Sequence, residues 1–164
     1  METTPTKRTA YDWVIETISF LSLIGTCVPL FFYNKLGEGV PFPIHYNLHG
    51  KVDGWGDLKF FSRFVLAAIV LYLYLTFSER FFKRFLYPVK ITEQNASIIY
   101  RIGIRLRRHL KLFVMLLFAY NSNTFLYMAL SGASEQPYDF ISAWLIGLLA
   151  GSILFCFLLM EKLK

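Results

Sequence analysis

Cysteine and polar side chains are scarce in this chain, and each shortage removes a class of explanation. Cys27 and Cys156 are its two cysteines in 164 residues, and both fall inside apolar runs. They read as buried, inert thiols, which excludes a disulfide framework or a cysteine metal cluster. Charged residues make up 17% against 55% hydrophobic, with 17 Phe and a mean hydropathy of +0.46. A soluble domain this short has too little polar surface to cover so much apolar side chain, and a membrane supplies the missing solvent. No HExxH helix, phosphate loop or Ser/His/Asp set occurs, so no catalytic residue is assigned and no cofactor is expected. The net charge of +6 sits beside hydrophobic spans, the habit of a cytoplasmic membrane face, so no nucleic acid partner is expected.

Four apolar segments approach the roughly 20 residues that cross a hydrocarbon core. They are about 13–33, 60–77, 110–130 and 140–160, the second a little short with Arg63 able to snorkel outward. Trp13, Tyr33, Tyr138 and Trp144 lie near the span ends, as interfacial aromatics do. The first run is too long, and lacks a small-residue cleavage site, to read as a removed leader. Thirteen of the 17 basic residues fall on one side: Lys7 and Arg8, nine from Arg80 to Lys111, and Lys162 and Lys164. The positive-inside rule then puts both termini and the connection 78–109 in the cytoplasm and the loop 34–59 outside. The expected architecture is a single all-α membrane domain over 1–164. It has four transmembrane helices, a short extended extracytoplasmic loop and a cytoplasmic amphipathic helix leading into the third span, in the inner (plasma) membrane.

In the connection, Thr92 or a neighbour is the candidate N-cap, with Asn95 three positions beyond. Ile98, Ile99, Ile102, Leu106 and Leu110 then recur at helical spacing, while Arg101, Arg105 and Arg108 line another face. Such a helix lies along anionic lipid and bends into the third span, or continues it as one rod; its cations read as charge for topology and headgroups. Inside the spans, Glu16 is expected to pair with Arg8 or an arginine of the connection, with a proton-relay or transport role as the sharper alternative. Asn121 and Asn123 cannot point the same way on a helix, and interhelical hydrogen bonds to Ser19, Ser22 or Thr26 are expected of this stretch. Pro29 should kink the first helix and free a backbone acceptor. Gly147-x-x-x-Gly151 permits close approach of another backbone, in this chain or in a second copy as a homo-oligomer.

Phe42, Ile44, Tyr46 and Leu48 alternate with Pro43, His45, Asn47 and His49, the period of an extended strand with one apolar and one polar edge. That period rules out His45 and His49 as a helical metal pair. Gly50, Gly54 and Gly56 mark tight turns, with Asp53 and Trp55 in a hairpin-like cap and Trp55 plugging the interface.

Pro43-x-His45-Tyr-Asn47-x-x-Gly50-x-x-Asp53-x-Trp55-Gly56 resembles the signature of a family of bacterial membrane proteins built on a domain of unknown function. The same domain forms the N-terminal part of immunity proteins that protect cells from the sporulation-delay toxin. Tyr87-Pro-Val-Lys-Ile-Thr-Glu-Gln-Asn95, with Tyr100-Arg101, is similar to the segment after the second helix in short stand-alone members. The resemblance implies a binding, immunity-type or signalling membrane protein. Its outer motif (Pro43, His45, Asn47, Gly50, Asp53, Trp55 and Gly56) would meet a peptide, protein or lipid partner. Two competitors stand beside it. His45 and Asp53 could form a base with its orienting carboxylate or two zinc ligands, although zinc wants at least three protein groups. A small transporter would place Glu16 and Asn121 on a wet path.

The orientation is testable. A lone cysteine near residue 50, with Cys27 and Cys156 replaced, should react with an impermeant thiol reagent in intact cells; labelling only after lysis inverts the topology.

Overall fold

The computed structural model describes residues 8–32, 41–47, 51–133 and 140–162. Four helices carry the structure: α1 (Ala10–Phe32), α2 (Leu58–Ser78), α3 (Ala96–Ser131) and α4 (Phe140–Glu161). Each is long and apolar enough to cross a membrane. Between α1 and α2 stands an antiparallel hairpin, β1 (Phe42–Tyr46) and β2 (Val52–Gly56). A 3-10 segment (Glu79–Arg84) and a non-helical strap lead from α2 to α3. The amphipathic helix and the third span expected from the sequence are one uninterrupted rod. At about 1.5 Å per residue, the 36 residues of α3 reach roughly 54 Å, well beyond a hydrocarbon core of about 30 Å.

The closest partnership is between α1 and α3. The buried residues of α1 are Asp12, Ile15, Ser19, Ser22, Thr26 and Pro29, spaced by threes and fours. That spacing makes one narrow stripe, and all but Ile15 and Pro29 in it are small or polar. Small side chains let the backbones close in: a Cβ built on Gly25 would lie 3.7 Å from the Ala119 Cβ. The hydroxyls of Ser19, Ser22 and Thr26 turn back to carbonyls of their own helix, those of Ile15, Ile18 and Ser22. The bonds across the helices therefore come from α3, where Ser122 Oγ donates to the Thr26 carbonyl at 2.6 Å.

Asn123 explains how α1 tolerates Pro29. A proline in a helix leaves the carbonyl four residues earlier without its N–H, here that of Gly25. Asn123 Nδ2 donates to this Gly25 carbonyl at 3.0 Å and to Ala119 O, one turn back in its own helix, at 2.8 Å. An apolar surround offers no other donor, so the amide of α3 fills the gap that the proline of α1 opens. Asn121, by contrast, donates to Leu117 O within α3. Of the two asparagines, only Asn123 bonds across the helices, and its acceptor is the Gly25 carbonyl; of the residues expected as partners, Thr26 is reached, by Ser122.

The rest is conventional apolar packing. Phe61, Val65 and Phe125 form a core between α2 and α3, with Leu30 of α1 against it. Val89 of the strap, Ile99 of α3, and Cys156 and Met160 of α4 form a second. Tyr87 lies so close over Gly103 that a Cβ there would come within 2.6 Å of its ring. The Tyr87 hydroxyl donates to Phe82 O at 2.9 Å, and burial pushes its pKa up to about 12. Helix α3 starts from Asn95, whose amide and side chain exchange hydrogen bonds with Thr92 (3.3 and 2.8 Å), close to the N-terminal signal expected there. Among the described residues no neighbouring atom lies within 4 Å of a Cβ built on Gly147 or Gly151, so the close approach those glycines permit is not made there.

Asn123→Leu should cost about 1 kcal/mol, the usual net worth of one hydrogen bond. In a Pro29→Ala background, where residue 29 regains its N–H, most of that cost should vanish. Equal costs in the two backgrounds, from reversible unfolding in detergent, reject the pairing.

Candidate functional site

The hairpin gathers most of the sequence-predicted site. Its strands pair Phe42 with Gly56, Pro43 with Trp55, His45 with Gly54 and Tyr46 with Val52. Between these pairs Ile44 is an extra residue on β1 and Asp53 an extra one on β2. Such bulges turn side chains out of strict alternation. Pro43, expected on the same edge as His45, is fully buried, while His45 is exposed. The bulge at Asp53 brings its carboxylate to His45, where Nδ1 and Oδ1 are hydrogen-bonded, with the side chains 71% and 43% exposed. Asn47 closes the hairpin: its N–H donates to Lys51 O at 2.9 Å and its Oδ1 accepts from Lys51 N at 3.1 Å.

The glycines of β2 serve close approach and do not form turns. A Cβ on Gly54 would meet the His45 Cβ at 2.9 Å, and one on Gly56 would meet Ile44 Cγ2 at 2.6 Å. Gly50 and His49 lie outside the described residues. Trp55, on the same strand as Asp53, is 53% exposed. Asp57 has a structural task, capping α2 by accepting from Phe60 N at 2.9 Å. Among the described residues no third His, Cys, Asp or Glu joins His45 and Asp53 in a metal-sized cluster. The pair can exchange a proton and accept or donate hydrogen bonds to a docked group.

A second polar centre lies at the opposite end of α2, roughly 30 Å away by the length of that helix. Lys111 of α3 is fully buried, with Nζ 2.8 and 2.7 Å from the two oxygens of Glu16 and 3.0 Å from Thr76 Oγ1. Tyr72 donates to Glu16 Oε1 at 2.8 Å. Arg108, 7% exposed, reaches Asp12 Oδ1 at 2.8 Å with one nitrogen and Glu79 Oε2 at 3.1 and 3.2 Å with two others. Arg8 closes the set on Glu79 at 3.5 Å. Arg105 adds a longer contact to Asp12 at 3.7 Å, so three carboxylates meet four cations, and the carboxylates come from α1 and from the segment after α2.

This corrects two sequence readings. Glu16 pairs with a lysine, Lys111, and only at 4.0 Å with Arg8. Arg108 and Lys111, which by sequence belong to the charge for topology and headgroups, are both buried inside the bundle. Arg80, Lys83, Arg84, Lys90 and Arg101 do face outward. The signal for the cluster was present. Asp12 and Glu16 are one turn apart at the head of the polar α1 stripe, and Arg108 and Lys111 fall on the buried α3 row that continues through Met115 and Ser122. Glu79, just past the end of α2, had no such signal.

Glu16 and Asn121 are not brought together. Ten residues of α3 separate Lys111, where Glu16 is held, from Asn121, or roughly 15 Å along the axis. No family model matches the chain, and neither a curated protein nor a solved structure is similar to it.

Lys111→Met should cost about 3–5 kcal/mol, because it strands the Glu16 carboxylate among apolar helices. Adding Glu16→Gln should recover a large part of that loss. Strictly additive losses in a detergent unfolding cycle would show that the two groups do not interact.

Proposed function

We propose that the protein is a multi-pass membrane protein that binds a peptide or protein partner at its hairpin and catalyses no reaction. In this reading the hairpin faces away from the cytoplasm and both termini lie inside, in the inner membrane of a bacterial cell. The outward-facing cations Arg80, Lys83, Arg84, Lys90 and Arg101, all at the end opposite the hairpin, support that orientation. The likeness of the hairpin motif to the family containing sporulation-delay immunity proteins suggests a protective or signalling use.

The observation that carries the reading is the exposure of His45, Asp53 and Trp55 together on one short hairpin. An aromatic flanked by a hydrogen-bonding pair is the composition of a binding hot spot. Holding such groups on a bulged hairpin lowers the ordering cost of docking. The hairpin runs into α2 through Asp57 alone, so its position is tied to the bundle. Against a transport path stands the internal pairing of the polar groups within the spans. Glu16 is held by Lys111 and Tyr72, and the Asn121 amide donates to its own helix.

Alanine at His45, Asp53 and Trp55 together should abolish complementation of a gene deletion while the protein still accumulates in the membrane at normal level. Full rescue by that variant removes the hairpin from the function.

A further inference from the structure

We propose that the cleft between α2 and α4 seats an acyl chain of an anionic phospholipid, with its phosphate on Arg107. Both helices pack on α3, and a cavity of about 480 Å³ opens over it. Tyr74 of α2, Leu86 of the strap, Leu106 and Arg107 of α3, and Ile153 and Met160 of α4 line it. The lining is apolar along the helices, which suits a hydrocarbon chain, and it carries one cation, Arg107.

The charge around the mouth selects the headgroup. Arg107 lies flat on Phe85, 3.3 Å from the ring centre, which fixes the plane of its guanidinium. It gives one bond to Ser78 Oγ at 2.9 Å, out of five N–H donors arranged in the fork that matches a phosphate. Arg80 and Arg84 in the adjoining 3-10 segment stack on Phe77 and Phe81, making a belt of cations and aromatics beside the cleft. The carboxylate of that segment, Glu79, is turned inward onto Arg108 and Arg8. What this segment turns outward is therefore positive, and an anionic headgroup complements it. Leu86, fully exposed on a non-helical strap at the same mouth, belongs among lipid chains. This seat is independent of the hairpin and of which leaflet faces the cytoplasm.

Native mass spectrometry of the full chain in detergent, offered an equimolar mixture of phosphatidylglycerol and phosphatidylcholine, tests it. Phosphatidylglycerol adducts should exceed phosphatidylcholine adducts roughly fivefold, the preference one interfacial cation confers. Arg107→Gln should remove the preference. Ile153→Trp, which fills the cleft and leaves the cation in place, should remove the adduct itself, so the test survives if the first variant fails to fold. Equal adducts of both lipids overturn the proposal, as does a phosphatidylglycerol preference that survives both changes. A thermal shift produced equally by inorganic phosphate would show that the apolar cleft has no part and would also overturn it.

Discussion

A charge carried into an apolar bundle must meet its opposite there, because neither lipid nor a packed side chain replaces its lost hydration. Asp12 and Glu16 of α1, Glu79 after α2, and Arg108 and Lys111 of α3 satisfy that demand for one another. Helices α1 and α3 and the segment after α2 all contribute charges, and each is paired with a group from another element. The cluster thereby sets which faces meet and at what height, a matter on which the apolar faces say little. Such a cluster adds less net stability than its Coulomb attraction suggests, since desolvation offsets much of it. Its consequence is register, as each alternative packing would strand a buried ion.

The α1–α3 seam follows from that anchoring. Beyond the ions, the stripe of α1 narrows to serine, threonine and glycine, and the backbones come close enough for α3 to serve α1 carbonyls directly. Asn123 filling the acceptor left by Pro29 is a dependency across helices that allows a proline inside an apolar span. Ser122, Asn123 and the buried ions thus act between helices, while Ser19, Ser22, Thr26 and Asn121 bond within their own. The hairpin, at the other end, is where His45, Asp53 and Trp55 are left to face outward.

Chemically the two ends of α2 are unlike. One carries a hairpin whose glycines admit Ile44 and His45 at close range, joined to the helix through an Asp57 cap. The other carries aromatic–cation stacks, an inward-turned Glu79 and a cleft shared with α4. Roughly 30 Å of helix, the thickness of a hydrocarbon core, separates them. A partner at the hairpin and a lipid at the cleft would act on the same rigid element.

The number, length and apolar character of the helices were legible from runs of hydrophobic residues, because span length is a one-dimensional property of the chain. The extended character of residues 42–46 was legible from their alternation, and the start of α3 from Thr92 and Asn95. The bulges that bury Pro43 and turn Asp53 toward His45 were not, since they depend on how two strands pair. The fate of Arg108 and Lys111 was not legible either. A cation beside a hydrophobic span reads as an interfacial anchor until the acid facing it is known, and Asp12, Glu16 and Glu79 lie between 29 and 96 residues away in sequence. Local pattern determined which segments become helices. Tertiary structure alone decided which charges are inside, because a buried ion is defined by the partner that neutralises it.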